Sequence, residues 1–245
     1  MSYAGYAKLI ARHAKMCEIF KEDKSVSVLE IGVDRGQTAL PVIHNLLMYE
    51  ANWTWVGVDI RADSAFDNQL AFMEGVRRVD DKKNNLRRNV EYLEANSLDF
   101  LPRITDLNPN FVGFDVILID GDHNYETVAQ ELSYLDKISH PFTMCILDDY
   151  HGKHATRDSF YADSEKHQGL NHKTLERDAS VQGVKPAVDE FLKDNPLWKA
   201  YDLRPEYEPL VICREQAYFA EDEDGLLFTS FLSDNEKIKE NQYVI

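Results

Sequence analysis

FDVILIDGD (Phe114–Asp122) and CILDDY (Cys145–Tyr150) are two apolar runs that each end in carboxylates. Runs this apolar suit strands buried on both faces, as in a parallel sheet. In open α/β sheets, ligands sit at the carboxyl ends of the strands. Asp120, Asp122, Asp148 and Asp149 are therefore expected to meet at the ligand end of one sheet. Four acids gathered there need a proton, a cation or a cationic ligand to offset their repulsion.

Working outward, the chain alternates strand and helix signals. Val26–Ile31, Trp53–Ile60 and Val90–Ala95 read as strands before Phe114–Asp120, and Phe142–Asp148 as the fifth. Helical patterns fall at Leu40–Tyr49, Asp67–Val79, Leu98–Leu107, Tyr125–Ile138 and Gly183–Lys193. This alternation predicts an α/β, Rossmann-like, doubly wound and mostly parallel sheet. Trp198–Leu203 and Leu210–Arg214 read as a C-terminal antiparallel hairpin closing it. Residues 1–245 read as one domain, with an N-terminal helix over 1–25 and a tail over 216–245. Between them, 151–182 is polar, aperiodic and long for a passive connection, so it is expected to be an insertion or a lid. His154, His167 and His172 inside it read as solvated loop residues. Trp53 and Trp55 read as core or sheet edge, and Tyr125 and Tyr150 as local packing.

The first strand runs into VLEIGVDRGQTAL. Gly32 and Gly36 allow a tight turn and close backbone approach to a ligand. A dinucleotide site wants G-x-G-x-x-G to lay a pyrophosphate on backbone amides. This turn has only G-x-x-x-G, which suits a nucleoside ligand without phosphates. Asp59 ends the second strand, where a carboxylate commonly accepts ribose hydroxyls.

Composition sets the outer limits. A chain of 245 residues with 44% hydrophobic content can build a sizeable core. A formal net charge of -16 argues against nucleic acid or an anionic membrane as partner. No apolar run is long enough to span a bilayer, and MSYAGYAKLIARHAKM lacks the apolar block of a signal peptide. Three scattered cysteines form neither a disulfide framework nor a zinc site, which predicts a cytoplasmic protein.

Taken together, Glu30–Gly36 (EIGVDRG), Val56–Ile60 (VGVDI), Ile119–Glu126 (IDGDHNYE), Leu147–His151 (LDDYH) and Gly183–Leu192 (GVKPAVDEFL) resemble the class I S-adenosylmethionine-dependent methyltransferases. Within them the chain is most similar to the macrocin-type small-molecule O-methyltransferases, over roughly residues 26–215. The resemblance implies that Glu30, Gly32, Val33, Gly36 and Thr38 hold the methionine side of the cofactor, with Asp120 beside it. It implies Asp59 on the ribose hydroxyls, and Asn96 and Ser97 at the adenine, where the family usually carries an acid or a serine pair. Asp120, Asp148 and Asp149 match positions that bind a divalent metal, Mg2+ by expectation, in metal-dependent members. Asp122 matches the proposed general base, with His123 and His151 behind it.

The chemistry fits these roles. A protonated hydroxyl is a poor nucleophile, and a metal bound to it lowers its pKa. A nearby carboxylate or histidine then accepts the proton. The expected partner is a small-molecule acceptor. The N-terminal helix and the tail are candidate surfaces for a homo-oligomer. Three alternatives stay open: a metal-independent methyltransferase, an inactive nucleoside-binding domain, and a nicotinamide oxidoreductase, the last disfavoured by the missing middle glycine. Asp120 and Asp122 also suit a plain capping role for the helix that starts near Asn124.

Overall fold

A computed structural model describes residues 3–20, 25–48, 52–61, 63–64, 66–71, 73, 75, 86–107, 111–158, 180–201, 209–214, 217–221 and 227–231. Helix α1 (Tyr3–Phe20) precedes strand β1 (Ser25–Ile31), α2 (Ala39–Leu47) and β2 (Asn52–Asp59). Then come β3 (Arg88–Glu94), α3 (Ser97–Leu107), β4 (Phe114–Ile119), α4 (Tyr125–Leu132), α5 (Leu135–Ile138) and β5 (Ser139–Leu147). The chain closes with α6 (Val184–Asp194), β6 (Trp198–Tyr201), β7 (Leu210–Arg214), β8 (Ala217–Glu221) and β9 (Leu227–Phe231).

The main sheet has seven strands in the order β3-β2-β1-β4-β5-β7-β6. Its first five strands are parallel, and β7 pairs antiparallel with both β5 and β6. The Rossmann-like fold with a C-terminal antiparallel hairpin is therefore present, with the later strand of the hairpin against β5. Sequence order reverses between β1 and β4, and such a switch point opens the crevice where ligands bind.

Alternation along each strand sends side chains to both faces. Val116 and Leu118 of β4 join Trp53, Trp55, Ile43 and the α1 residues Ile10 and Ala14 in one apolar layer. Ile117 and Ile119 join Leu101, Val128, Leu132 and Val188 in the other. All six residues of β4 are buried, which is why its sequence is apolar at every position but Asp115. The tryptophans belong to the core, as expected. The apolar face of α1 is covered by its own domain: Ala7, Ile10, Ala11 and Ala14 are buried there.

Two expectations change. The single helix expected over Tyr125–Ile138 breaks at Ser133 and Tyr134 into α4 and α5. Ser133 Oγ donates back to the Gln130 carbonyl at 2.6 Å, the local bond by which serine competes with a helix. The tail carries a separate antiparallel pair, β8 with β9. The insertion is only partly visible: 151–158 and 180–182 are described, and 159–179 lie outside the described residues. The lid expectation falls mostly on that outside part. Among the described residues, no helix is long and apolar enough to cross a membrane.

Candidate active site

The strand ends stay in step for one residue beyond the ladder. Gly32 N–H donates to the Val58 carbonyl at 2.9 Å, Asp120 N–H to Ile31 at 2.8 Å, and Asp148 N–H to Ile119 at 3.0 Å. Ala95 N–H donates to the Asp59 carbonyl at 2.8 Å. This aligns the turn after β1 with the acids after β2, β4 and β5 along one rim.

On the β1–β2 side the turn is held by Asp59. Its Oδ2 accepts from the amides of Val33 and Asp34, both at 2.8 Å, and its Oδ1 from the Arg61 amide at 3.0 Å. Here Asp59 organises the glycine turn itself. Gly32 has φ +85°, and a Cβ there would lie 2.1 Å from the Asp120 carbonyl oxygen. Its smallness lets β1 and β4 close up at the switch point. Gly36 has φ +74°, and the Phe66 ring fills the space its Cβ would need. Both glycines are thus demanded by protein against protein in addition to whatever ligand approaches. Glu30 is 1% exposed and accepts from Trp55 Nε1 at 3.2 Å. Burial pushes its carboxyl up to about 8, against the pull of Trp55 and the Ala39 amide. Thr38 is buried at the start of α2 without a side-chain cap bond.

The β3 side is also locally organised. Asn96 Oδ1 accepts the Leu98 amide at 2.9 Å, which caps α3. Ser97 Oγ donates to Glu131 Oε1 on α4 at 2.5 Å.

On the β4–β5 side the acids do converge. Asp120 and Asp148 bring carboxylate oxygens within 4.8 Å of each other. Burial raises both carboxyls; for Asp120 the next causes are Asp148, Glu30 and Asp149. His123 lies between them and Asp149: Nε2 is 3.8 Å from Asp120 Oδ1, and Nδ1 is 3.7 Å from Asp149 Oδ2. Burial lowers its pKa, partly offset by Asp149 and Asp148. Ligand atoms of Asp120, His123 and Asp148 all fall within 4.8 Å of one another. The two carboxylates offer hard oxygens that fit a divalent cation, and the imidazole beside them has a lone pair open to a proton. Asp149 stands beside this group, with a left-handed backbone (φ 56°).

The remaining expected residues are placed differently. Asp122 accepts from Thr127 Oγ1 at 2.7 Å through Oδ2, and from Asn124 Nδ2 through Oδ1. Both its oxygens are engaged at the start of α4, close to the capping alternative. His151 is exposed and packs edge-on against the Tyr150 ring, 4.7 Å between centroids. Tyr150 is more than packing: its hydroxyl donates to Asp189 at 2.6 Å and accepts from Lys185 Nζ at 2.5 Å.

His154 corrects the reading of solvated loop histidines. Its ring stacks on His123 at 5.3 Å with 7° between planes. The segment that carries it is docked. Asp158 Oδ1 accepts from the amides of Tyr125 at 2.9 Å and Gly183 at 2.8 Å, and Val184 N–H donates to the His154 carbonyl at 3.0 Å. Spacing gave no cue to His154, because its partner lies on another strand end. Glu131 was also missed, though a trace existed: it follows Thr127 by one helical turn, on the face that carries Val128 and Leu132.

A family model described as a methyltransferase domain matches residues 29–150, from β1 through both acidic strand ends. No curated protein matches the sequence. Among solved structures, CalS11, a TDP-rhamnose 3'-O-methyltransferase of calicheamicin biosynthesis, is 14% identical over 84% of this chain and 78% of its own, with a TM-score of 0.51. The MycE methyltransferase of the mycinamycin pathway, solved with Mg and SAH, is 14% identical over 83% of this chain, with a TM-score of 0.45. This chain spans about half of MycE, 47% of its length. SAH-bound PaMTH1 of Podospora anserina is 16% identical over 82% of this chain and 76% of its own, with a TM-score of 0.40.

Proposed function

Because the chain belongs to the class I S-adenosylmethionine-dependent methyltransferases, we propose that it methylates a hydroxyl of a small-molecule acceptor with help from a divalent cation. The observation that carries this reading is the pairing of Asp120 with Asp148 at the switch-point rim, beside the Gly32 turn. When bound, the cofactor supplies a methyl group on a sulfonium, and the cation lowers the pKa of a hydroxyl it touches.

The chain's own residues do the positioning, which is most of what a methyl transfer needs. The Gly32–Gly36 turn, pinned by Asp59, presents backbone to the methionine side, with Val33, Thr38 and Glu30 around it. Asp59 keeps one lone pair, on Oδ1, for a ribose hydroxyl, and Asn96 and Ser97 border the base. Asp120, Asp148 and Asp149 give an oxygen set that suits Mg2+. His123 then accepts the acceptor's proton, since both Asp122 oxygens already hold Asn124 and Thr127. The 3.7 Å approach of Asp149 to His123 Nδ1 supports a second, metal-independent reading, in which the carboxylate orients the histidine as base.

Calorimetry with S-adenosylhomocysteine, followed by turnover with and without chelator, tests the proposal. Binding at micromolar concentration and activity restored by Mg2+ are expected. Full turnover in chelator selects the second reading, and absence of binding at millimolar concentration ends both. The net charge of -16 supports a small acceptor over nucleic acid. Three buried free cysteines support a cytoplasmic setting.

A further inference from the structure

Glu131 has no part in the chemistry above, yet it is among the most enclosed charged groups of the protein. It is 1% exposed, on the face of α4 that packs toward α3. Its Oε1 takes the Ser97 hydroxyl at 2.5 Å, and its Oε2 is buried without a hydrogen-bond partner among the described residues. A buried carboxyl with one donor is costly where an apolar side chain would pack. The groups facing it are Ser97 from α3, Asp122 from the β4–α4 turn and Cys145 from β5.

The bond joins two parts of the rim. Ser97 follows Asn96, whose turn is tied to the β2 end by the Ala95 amide on the Asp59 carbonyl. One helical turn before Glu131, Thr127 holds Asp122 at 2.7 Å. One polar edge of α4 thus grips both the β3–α3 turn and the β4–α4 turn, on either side of β1 and β2.

We propose that Glu131 is a positioning residue of the cofactor site, which fixes the Asn96–Ser97 turn, and so the nucleoside side of the crevice, through its hydrogen bond to Ser97. This rests on the cofactor reading given above. Glu131 touches no reacting atom; it acts through Ser97.

The experiment is calorimetry of the full chain with S-adenosylhomocysteine and with S-inosylhomocysteine, whose base lacks the exocyclic amine. The variants are Glu131→Gln, Glu131→Ala, Ser97→Ala and the Glu131→Ala/Ser97→Ala pair. Glu131→Ala and Ser97→Ala are each expected to weaken S-adenosylhomocysteine by about tenfold, the scale of one hydrogen bond. The pair should lose no more than either single change. Both singles should also narrow the preference for the adenine ligand over the inosine one. Glu131→Gln, which keeps an acceptor oxygen, should stay within about twofold of wild type. The thermal shift caused by Mg2+ should be equal in all variants. Wild-type affinity in Ser97→Ala overturns the proposal even if Glu131→Ala does not fold. Equal weakness of Glu131→Gln and Glu131→Ala overturns it as well. A wild type that binds neither ligand overturns the cofactor reading first and this proposal with it.

Discussion

Strand β4 carries a fully buried aspartate near its start and runs into a half-buried one at its end, and the two are opposites. Asp115, fully buried at the amino end, is surrounded by donors. Its Oδ2 accepts the Ser27 amide at 2.6 Å and the Ser27 hydroxyl at 2.9 Å, and Oδ1 lies 3.0 Å from His140 Nε2. Asp120, at the carboxyl end, faces Asp148, Asp149 and Glu30. A buried acid whose lone pairs are met is part of the framework. A half-buried acid that meets other acids is held in place by the framework against its own electrostatics, as functional sites often are. The contrast locates the chemistry without reference to any relative.

The largest effect that can break this contrast is a swap of outcomes. Asp120→Asn is expected to lower kcat/KM by about 10³-fold or more, the several kcal/mol attributed to metal assistance, with no fall in melting temperature. Asp115→Asn should do the reverse. It breaks a buried, hydrogen-bonded pair and should cost about 3–5 kcal/mol in chemical denaturation while kcat of the folded fraction stays normal. If Asp115→Asn leaves stability unchanged, the framework role given to the amino end is wrong.

Gly32→Ala comes next, because it strikes where β1 and β4 meet. The positive φ costs about 1–3 kcal/mol, and the added Cβ collides with the Asp120 backbone. Loss of both melting temperature and S-adenosylhomocysteine binding is expected; unchanged values would mean that the strands do not close there. Asp59→Ala removes the acceptor of three amides and should cost about 1.5–3 kcal/mol of cofactor affinity by loosening the turn. A turnover defect at saturating cofactor would show that Asp59 does more than shape the turn.

The smallest effect is read in pH. Glu30 rises from 4.5 in the unfolded chain to about 8 when folded. Between those values the unfolded chain releases its proton first, so stability falls as pH rises, by at most about 1.4 kcal/mol per pH unit. Glu30→Gln should flatten that slope in denaturation curves at pH 5, 7 and 9. His13, buried at the opposite end of the sheet, moves the other way, from 6.5 down to about 4. Its share is present above pH 6.5 and is lost as pH falls toward 4, so His13→Gln should blunt acid unfolding only. Equal slopes in both variants and the wild type would remove these two groups from the pH response.

How much of this was legible in the sequence depends on distance along the chain. The sheet was legible, because an apolar run such as Val116–Ile119 and the spacing of the helices are local signals. The convergence of Asp120 and Asp148 was legible too, since both end strands whose order the alternation implies. What each side chain grips was not. Asp122 turning to Thr127, Asp149 adopting a left-handed backbone, and Asp59 turning back onto Val33 and Asp34 follow from local geometry that residue types leave open. The stack of His154 on His123, the bond of Ser97 to Glu131, and the Ser27–Asp115–His140 group join residues from different elements. One sequence gives no signal for such pairs until the sheet has been assembled.

The double bond made by Asp158 reaches further than its two distances suggest. One carboxylate oxygen ties the residue that leaves the docked segment to Gly183, the residue that opens α6. The docked segment and the start of α6 are therefore held by a single clasp. A cut meant to remove the insertion belongs after Asp158, since one at Gly152 would discard His154 and the clasp together. Tyr125, at the start of α4, hangs on the same oxygen, so one side chain couples the β4–α4 turn, the docked segment and α6.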